Sequence, residues 1–483
     1  LANTSRGMDT IVSNPPYLGG VKISQELGEG YFKFLKFSYP PTSGAADLCA
    51  YFLRLFFRIT NKNGLSGIVA TNTISQGDSR ETGLGVIVND GGKIVYADRF
   101  VKWGGEANVE VSLLAASKQE LIEREAILDG IEVPFISSWL DDFPEIKPHE
   151  LHQNRKLSFK GDSPYGTGFI LTKDDALSIL RKKPEYSKCL MPFISGIDVN
   201  NSPSFESNRY TIYFHDWALG TAENYPELLQ IVRKKVKPIR DKVKREKRRK
   251  NWWLFADIAV GLHQVLDNFD RVFTRSVVSE YHMIALVPTK QIFSMANVIF
   301  AYNDFYHFSL LQSWVHELWL RRQASTLESR NRYTPTDCFQ TFPFPQNPSD
   351  NLKMESEQVG RAFYDFRQSI LQKRLLGLTK TYNLFNSPTC EDEDIQQMRL
   401  LQTMMDCSIL ACYGWDDIDL QYDFYPNDRK KIRFMPSPIA QREIFTRLIA
   451  LNQDIAAQEA AQGLVGEAAE EDEIDDETEG QEE

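Results

Sequence analysis

Apolar and polar positions along the first 118 residues alternate in a way that predicts short strands interleaved with amphipathic helices. Thr10–Val12 is strand-like, and Ile68–Ala70 and Val109–Leu114 look like buried strands. Leu48–Ile59 places apolar residues round most of a helix, which Asn61 and Gly64 end. The pattern then changes. Asp141–Glu150, DDFPEIKPHE, is rich in proline and acids and predicts a linker over residues 119–154. From 155 to 345 short strands (YTIYF, RVFTRSVVS, HMIALVP) mix with helices, and this α+β domain closes at the proline-rich TFPFPQNPSD. Residues 346–460 carry mainly helical periodicity, as in Glu391–Cys412 and Pro438–Gln453, and residues 461–483 form an acidic tail.

Composition narrows the class. A chain of 483 residues, 42% hydrophobic and 12% aromatic, exceeds the roughly 250–300 residues at which one core stops growing, so two or three domains are expected. The longest apolar stretch, Leu48–Phe57, is interrupted by Arg54 and falls short of the ~20 residues that span a bilayer. The segment LANTSRGMDTIV has no apolar signal core, and cysteines at 49, 189, 338, 390, 407 and 412 make no paired framework. A reducing cytoplasm fits these features, with no membrane partner. Cys407 and Cys412 have no histidine at ligand spacing, so both are expected in the core and no metal is expected. His316, in VHELW, lacks the second histidine of a zinc-protease motif and is expected to be structural.

The net charge of -11 would ordinarily speak against a nucleic-acid partner. However, Glu467–Glu483 holds eleven acids and no base, which leaves the remainder balanced at 55 acids and 55 bases. A run of that composition cannot bury enough apolar surface to fold and is expected to be a solvated extension. Arg233–Lys250 has the opposite character, with twelve Lys or Arg and two acids. Such a run can neutralise phosphates and release counterions, which makes Lys244, Arg245, Lys247, Arg248, Arg249 and Lys250 candidates for contact with double-stranded DNA. A solvated helix face is the alternative. Trp252 and Trp253, which follow at once, are expected to pack and not to stack on bases.

The chemical signal is Asn14-Pro15-Pro16-Tyr17, set directly after the strand at Thr10–Val12. In an α/β sheet, ligands bind beyond the carboxyl ends of the strands. Two prolines fix the backbone there and remove two N–H donors, leaving an array of acceptors and one aromatic ring. The Asn14 side-chain oxygen and the Pro15 carbonyl could accept both hydrogens of a planar amine, such as N6 of adenine, and favour a pyramidal nitrogen whose lone pair attacks a methyl donor. Tyr17 would stack on the base, which must be flipped out of a duplex to be reached. An ordinary rigid turn after a strand is the competing reading of these four residues.

Asn14–Tyr17, Gly19-Gly20 with KISQELGEGY, Asp47-Leu48 with AYFLRL, and Gly67–Ser75 (GIVATNTIS) resemble successive motifs of adenine-N6 DNA methyltransferases. The likeness is to the methylase and specificity portion of single-chain type II (IIG/IIL) restriction-modification enzymes and phage-defence adenine methylases. It continues through RRKNWWLFA (248–256), LQSWVHELW (311–319), FPFP (342–345), GLTKTYNLF (377–385) and ACYGW (411–415), covering roughly residues 8–455. The resemblance implies the C-terminal half of a class I, Rossmann-like methyltransferase domain at 1–118, an α+β target-recognition domain at 155–345 and a helical C-terminal region. It implies S-adenosylmethionine as methyl donor, and duplex DNA and other subunits of a restriction or defence system as partners. Asn14, Pro15, Pro16 and Tyr17 would be catalytic, and Asp47 would line the donor pocket. Phe100 or Trp103, in RFVKWGGEANVE, would supply a second aromatic against the base.

The family's Gly-rich donor motif precedes its NPPY loop, whereas here thirteen residues precede Asn14, so an N-terminally truncated enzyme is expected. Gly83-Leu84-Gly85 and Gly91-Gly92 follow the loop and read as turns. A sheet lacking its first strands would expose an edge and an apolar face. Asp142, Glu145 and Lys147 are a poor copy of a metal-nuclease triad. A DNA-binding specificity module without methyl transfer, and a protein glutamine methyltransferase, are the alternative functions.

Overall fold

The computed structural model describes residues 7–102, 110–118, 125–243, 245–327, 330–427 and 429–464. They divide into two compact units, residues 1–147 with 426–431, and residues 148–425 with 432–483.

The first unit is a mixed six-stranded sheet flanked by helices. Its strands are β1 (Met8–Ser13), β2 (Thr60–Thr71), β3 (Lys93–Lys102), β4 (Glu110–Ser117), β5 (Ala126–Leu128) and β6 (Ile131–Val133), in the order β1-β2-β4-β3-β5-β6. β1 and β2 are parallel, in a register that opposes Val12 to Gly67 and Ser13 to Ile68. β4 runs antiparallel between β2 and β3. The apolar run Leu48–Ile59 is helical, as expected, and packs Cys49, Ala50 and Leu53 with Ile68, Ala70, Ile94 and Leu114. We label it α3, after α1 (Gly20–Leu27) and α2 (Glu29–Ser38). β1 forms one edge of the sheet, where Met8 and Val12 are 56% and 80% exposed. Residues 125–147 correct the linker expected at 119–154. Ala126, Leu128 and Val133 are buried apolar positions, and β5 and β6 extend the sheet beside β3, so the boundary falls after Lys147.

The second unit holds two four-stranded sheets. Arg271–Ser276 and Asn297–Phe300 form the centre of one, and Leu190–Ile194 and Arg209–Ile212 form the centre of the other. Long helices Asp350–Arg374, Glu393–Tyr413 and Pro438–Ala461 follow, as the periodicity predicts. Cys412 is buried, but Cys407 is exposed, contrary to expectation, because its position on Glu393–Tyr413 faces away from the packed side. No helix among the described residues is long and apolar enough to cross a membrane.

Charged side chains knit this unit together. Arg367 is fully buried and donates to Ile284 O at 2.5 Å, Gln312 Oε1 at 3.1 Å and the Tyr382 hydroxyl at 3.3 Å. Arg275 donates to His282 Nδ1 at 2.7 Å, and the His316 ring lies 5.3 Å from that of His282. Burial, then the Arg275 charge, holds His316 at about 3 and His282 well below the ordinary imidazole value. The unfolded chain, at ~6.5, therefore takes up these protons first, and the stability is complete above pH ~6.5 and lost as pH falls toward 3. A His316→Gln variant should show a stability-pH slope shallower by up to ~1.4 kcal/mol per pH unit over that window, measured by urea unfolding between pH 6.5 and 4.5; an unchanged slope would refute the assignment.

Candidate active site

β1, β2 and β3 run in one direction, so their carboxyl ends share one edge of the sheet. Asn14–Tyr17 leaves that edge after β1, and Asn72–Ser75 leaves it after β2. The backbone from Asn14 to Gly19 forms no regular structure, consistent with two residues that lack N–H groups. Pro15 is buried, whereas Asn14, Pro16 and Tyr17 are exposed. The Tyr17 hydroxyl donates to Asn14 Oδ1, so the acceptor picked out in the sequence already has an internal donor.

Glycine permits the next approach. A Cβ on Gly20 would collide with the Ala45 carbonyl, to which the Gly20 N–H donates at 3.1 Å. Leu48 N–H donates to Leu18 O at 3.0 Å, so the loop at 45–48 is laced to the segment that follows Tyr17. That loop is in turn fixed by Asp78, which accepts from Ala45 N–H at 2.7 Å, and by Ser79, whose hydroxyl accepts from Asp47 N–H at 2.9 Å. Asp47 caps α3 by accepting from Cys49 N–H at 2.9 Å and is 8% exposed. Burial, and then the neighbouring Cys49 and Asp47, push the Tyr17 phenol above its ordinary value. Burial and Asp47 also push the Cys49 thiol well up, so it stays protonated and is no nucleophile. Behind the loop the Ser112 hydroxyl donates to Asn72 Oδ1 at 2.8 Å. Asn72 belongs to the GIVATNTIS motif, but its pairing with Ser112, forty residues on, has no local signal in the sequence.

Asn14, Pro15, Pro16, Tyr17 and Asp47 are thus drawn together at one edge. Phe100 is not. It has φ +54° in a bulge between Asp98 and Val101, and Arg429 lies over its ring at 5.1 Å. Three strand spacings, ~14 Å, separate β3 from β1 in the sheet. Trp103 lies outside the described residues.

The basic segment divides by burial. Arg248 is 6% exposed, pairs with Asp257 at 3.0 Å and lies over the Tyr165 ring at 5.0 Å. This corrects its assignment to the DNA-contacting set, because its guanidinium is committed to the interior. Arg240, fully buried, donates to Pro164 O at 2.8 Å. Arg249 is half-buried and donates to Val243 O at 2.6 Å. Arg245, Lys247 and Lys250 are exposed, Lys250 with Glu246 at 2.8 Å, as are Arg233, Lys234 and Lys235 two helices earlier. Lys244 lies outside the described residues. Trp252 packs in the core and Trp253 Nε1 donates to Trp217 O at 2.8 Å.

Residues 2–84 match the family described as Eco57I restriction-modification methylase, and residues 147–346 match the target recognition domain of MmeI. A "DNA methyltransferase A" of Bacillus subtilis (strain 168) is 24% identical over 378 residues, covering 74% of this chain and 41% of that protein. The structure of the type IIL restriction-modification enzyme MmeI in complex with DNA superposes with a TM-score of 0.72 at 18% identity, over 93% of this chain and 57% of that one. The chain therefore spans about two-fifths to three-fifths of the length of these relatives, and shares the MmeI fold.

Breaking a buried ion pair costs ~3–5 kcal/mol, and less where one partner is partly solvated. Arg248→Ala should accordingly lower the stability of the second unit by about 2–3 kcal/mol, whereas Lys247→Ala should leave it within ~0.5 kcal/mol. Denaturant titration checks both, and equal effects would refute the division.

Proposed function

We propose that this chain, with its Eco57I-type methylase segment and MmeI-type target recognition domain, takes part in site-specific methylation of adenine N6 in duplex DNA within a restriction-modification or phage-defence system. The observation that carries the reading is the acceptor loop Asn14–Tyr17 at the carboxyl edge of parallel strands, inside a segment that matches a methylase family and in the same chain as a target recognition domain.

Asn14 Oδ1 and Pro15 O accept the two amine hydrogens. Pro15 O accepts no hydrogen bond among the described residues, so it is available at once. Asn14 Oδ1 must share a second lone pair or release the Tyr17 hydroxyl. Tyr17 then offers its ring to the flipped base. S-adenosylmethionine, when bound, supplies the methyl group. Asp47 fits this cation: it is a nearly buried carboxylate near Tyr17, which accepts from the Cys49 amide. Arg233, Lys234, Lys235, Arg245, Lys247 and Lys250 meet phosphates without reading sequence.

One observation favours a second reading, a DNA-binding specificity module without transfer: Tyr17 occupies the acceptor an amine would need. Two measurements separate the readings. Transfer of labelled methyl groups to duplex DNA should fall ~10²–10³-fold in Asn14→Ala, with DNA affinity unchanged; a wild-type protein that binds duplex and transfers nothing would establish the second reading. Tyr17→Phe should retain transfer within about tenfold, whereas Tyr17→Ala loses the stacking, ~1–3 kcal/mol. Replacing Lys234, Lys235, Lys247 and Lys250 together by alanine should reduce the slope of log affinity against log salt by ~0.9 for each phosphate that is no longer neutralised, read by fluorescence anisotropy; an unchanged slope would place the DNA elsewhere.

A further inference from the structure

A cleft of about 340 Å³ in the second unit, well away in sequence from the methylase segment, is lined by Tyr302, Tyr306, His307, Phe344, Asn347 and Lys353 among others. Its size is at the lower end of the ~300–1,000 Å³ range of small-molecule sites. Asp304 caps the helix Phe305–Gln312 and grips His307 twice, accepting from its backbone N–H at 3.0 Å and from Nδ1 at 2.7 Å. Burial works to raise the Asp304 carboxyl, but these bonds hold it below its ordinary value, so it accepts as a carboxylate. The imidazole is clamped a second way, stacked on Tyr302 with centroids 3.8 Å apart and planes 11° from parallel, while Tyr306 meets it edge-on at 5.2 Å.

An imidazole fixed by a carboxylate on Nδ1 presents Nε2 as its one remaining polar atom. Nε2 makes no hydrogen bond among the described residues. Lys353 pairs with no acid there either, and no Asp or Glu lines the cleft. A rigid imidazole edge, flat aromatic and proline walls and an uncompensated ammonium call for a ligand with a planar hydrogen-bonding ring and a negative charge. From this combination we propose that the cleft binds a nucleotide, its base against the His307–Tyr302 pair and its phosphate at Lys353. The nucleotide can come from free mononucleotide or from a strand of bound DNA, and the proposal stands independently of the methylation reading.

The test is calorimetric titration of the full chain with AMP and CMP, with adenosine and inorganic phosphate as partial ligands, and anisotropy with a single-stranded DNA oligonucleotide. Lys353 is half-buried, and Lys353→Ala, shown by its unfolding curve to be folded, should weaken the monophosphates at least tenfold while leaving adenosine unchanged. His307→Ala should weaken nucleotide and nucleoside alike, with unfolding curves to establish that it is folded; if it is not, His307→Gln replaces it. Monophosphate binding with this pattern supports a free ligand. Absence of monophosphate binding, with oligonucleotide affinity reduced at least tenfold by Lys353→Ala and by the His307 variant, supports the strand as source. Inorganic phosphate binding as tightly as AMP, or indifference of every nucleotide probe to both substitutions, overturns the proposal.

Discussion

Parallel pairing of β1 with β2 is the constraint on which the candidate site depends. Two parallel neighbours must leave the sheet from the same edge, and the register that sets Ser13 against Ile68 brings Asn14 to that edge beside the end of β2. Everything else near the loop serves to hold what this pairing delivers. Gly20 lets α1 approach the Ala45 backbone, Asp78 and Ser79 hold residues 45–47, and Asp47 ends the chain of bonds by capping α3. A one-residue slip would exchange the faces of β1 and carry the loop out of reach of those anchors.

The features of the fold that could be read from sequence were those with local causes. Leu48–Ile59 is a helix because its apolar positions nearly encircle it, and Asn14–Tyr17 is an acceptor-rich turn because proline has no N–H. Features set by distant partners were hidden. β5 and β6 are three residues each and carry little periodicity of their own; pairing with Tyr96 and Ala97 of β3 makes them strands, so acids and prolines nearby suggested a linker. Phe100 could be placed near the carboxyl edge by its motif, but the bulge that turns it toward Arg429 has no signature in the letters.

Charge was the least legible property. Arg240, Arg248, Arg275, Arg367 and Arg399 are all buried, and most of the hydrogen bonds they make go to main-chain carbonyls, with aromatic faces against the guanidinium. Guanidinium suits this use because it is weakly hydrated and planar. A run of twelve bases therefore overstates the cationic surface, since two of its members are interior struts. Lysines remain the better guide, because Lys234, Lys235, Lys247 and Lys250 all stay outside.

The hydrogen bond between Tyr17 and Asn14 has an energetic consequence. A resting acceptor that already holds a donor gains little when another replaces it, because the exchange is close to neutral and a single such bond is worth only ~0.5–1.5 kcal/mol net. On the proposed function, an incoming amine would thus draw little affinity from Asn14 in the ground state. Any advantage from that oxygen appears as the nitrogen becomes pyramidal and its hydrogens turn more acidic, when the bond strengthens. Under the proposed methylation, the self-satisfied loop would keep ground-state binding weak and reserve its grip for the transition state, the condition under which binding energy raises turnover and does not merely tighten the substrate.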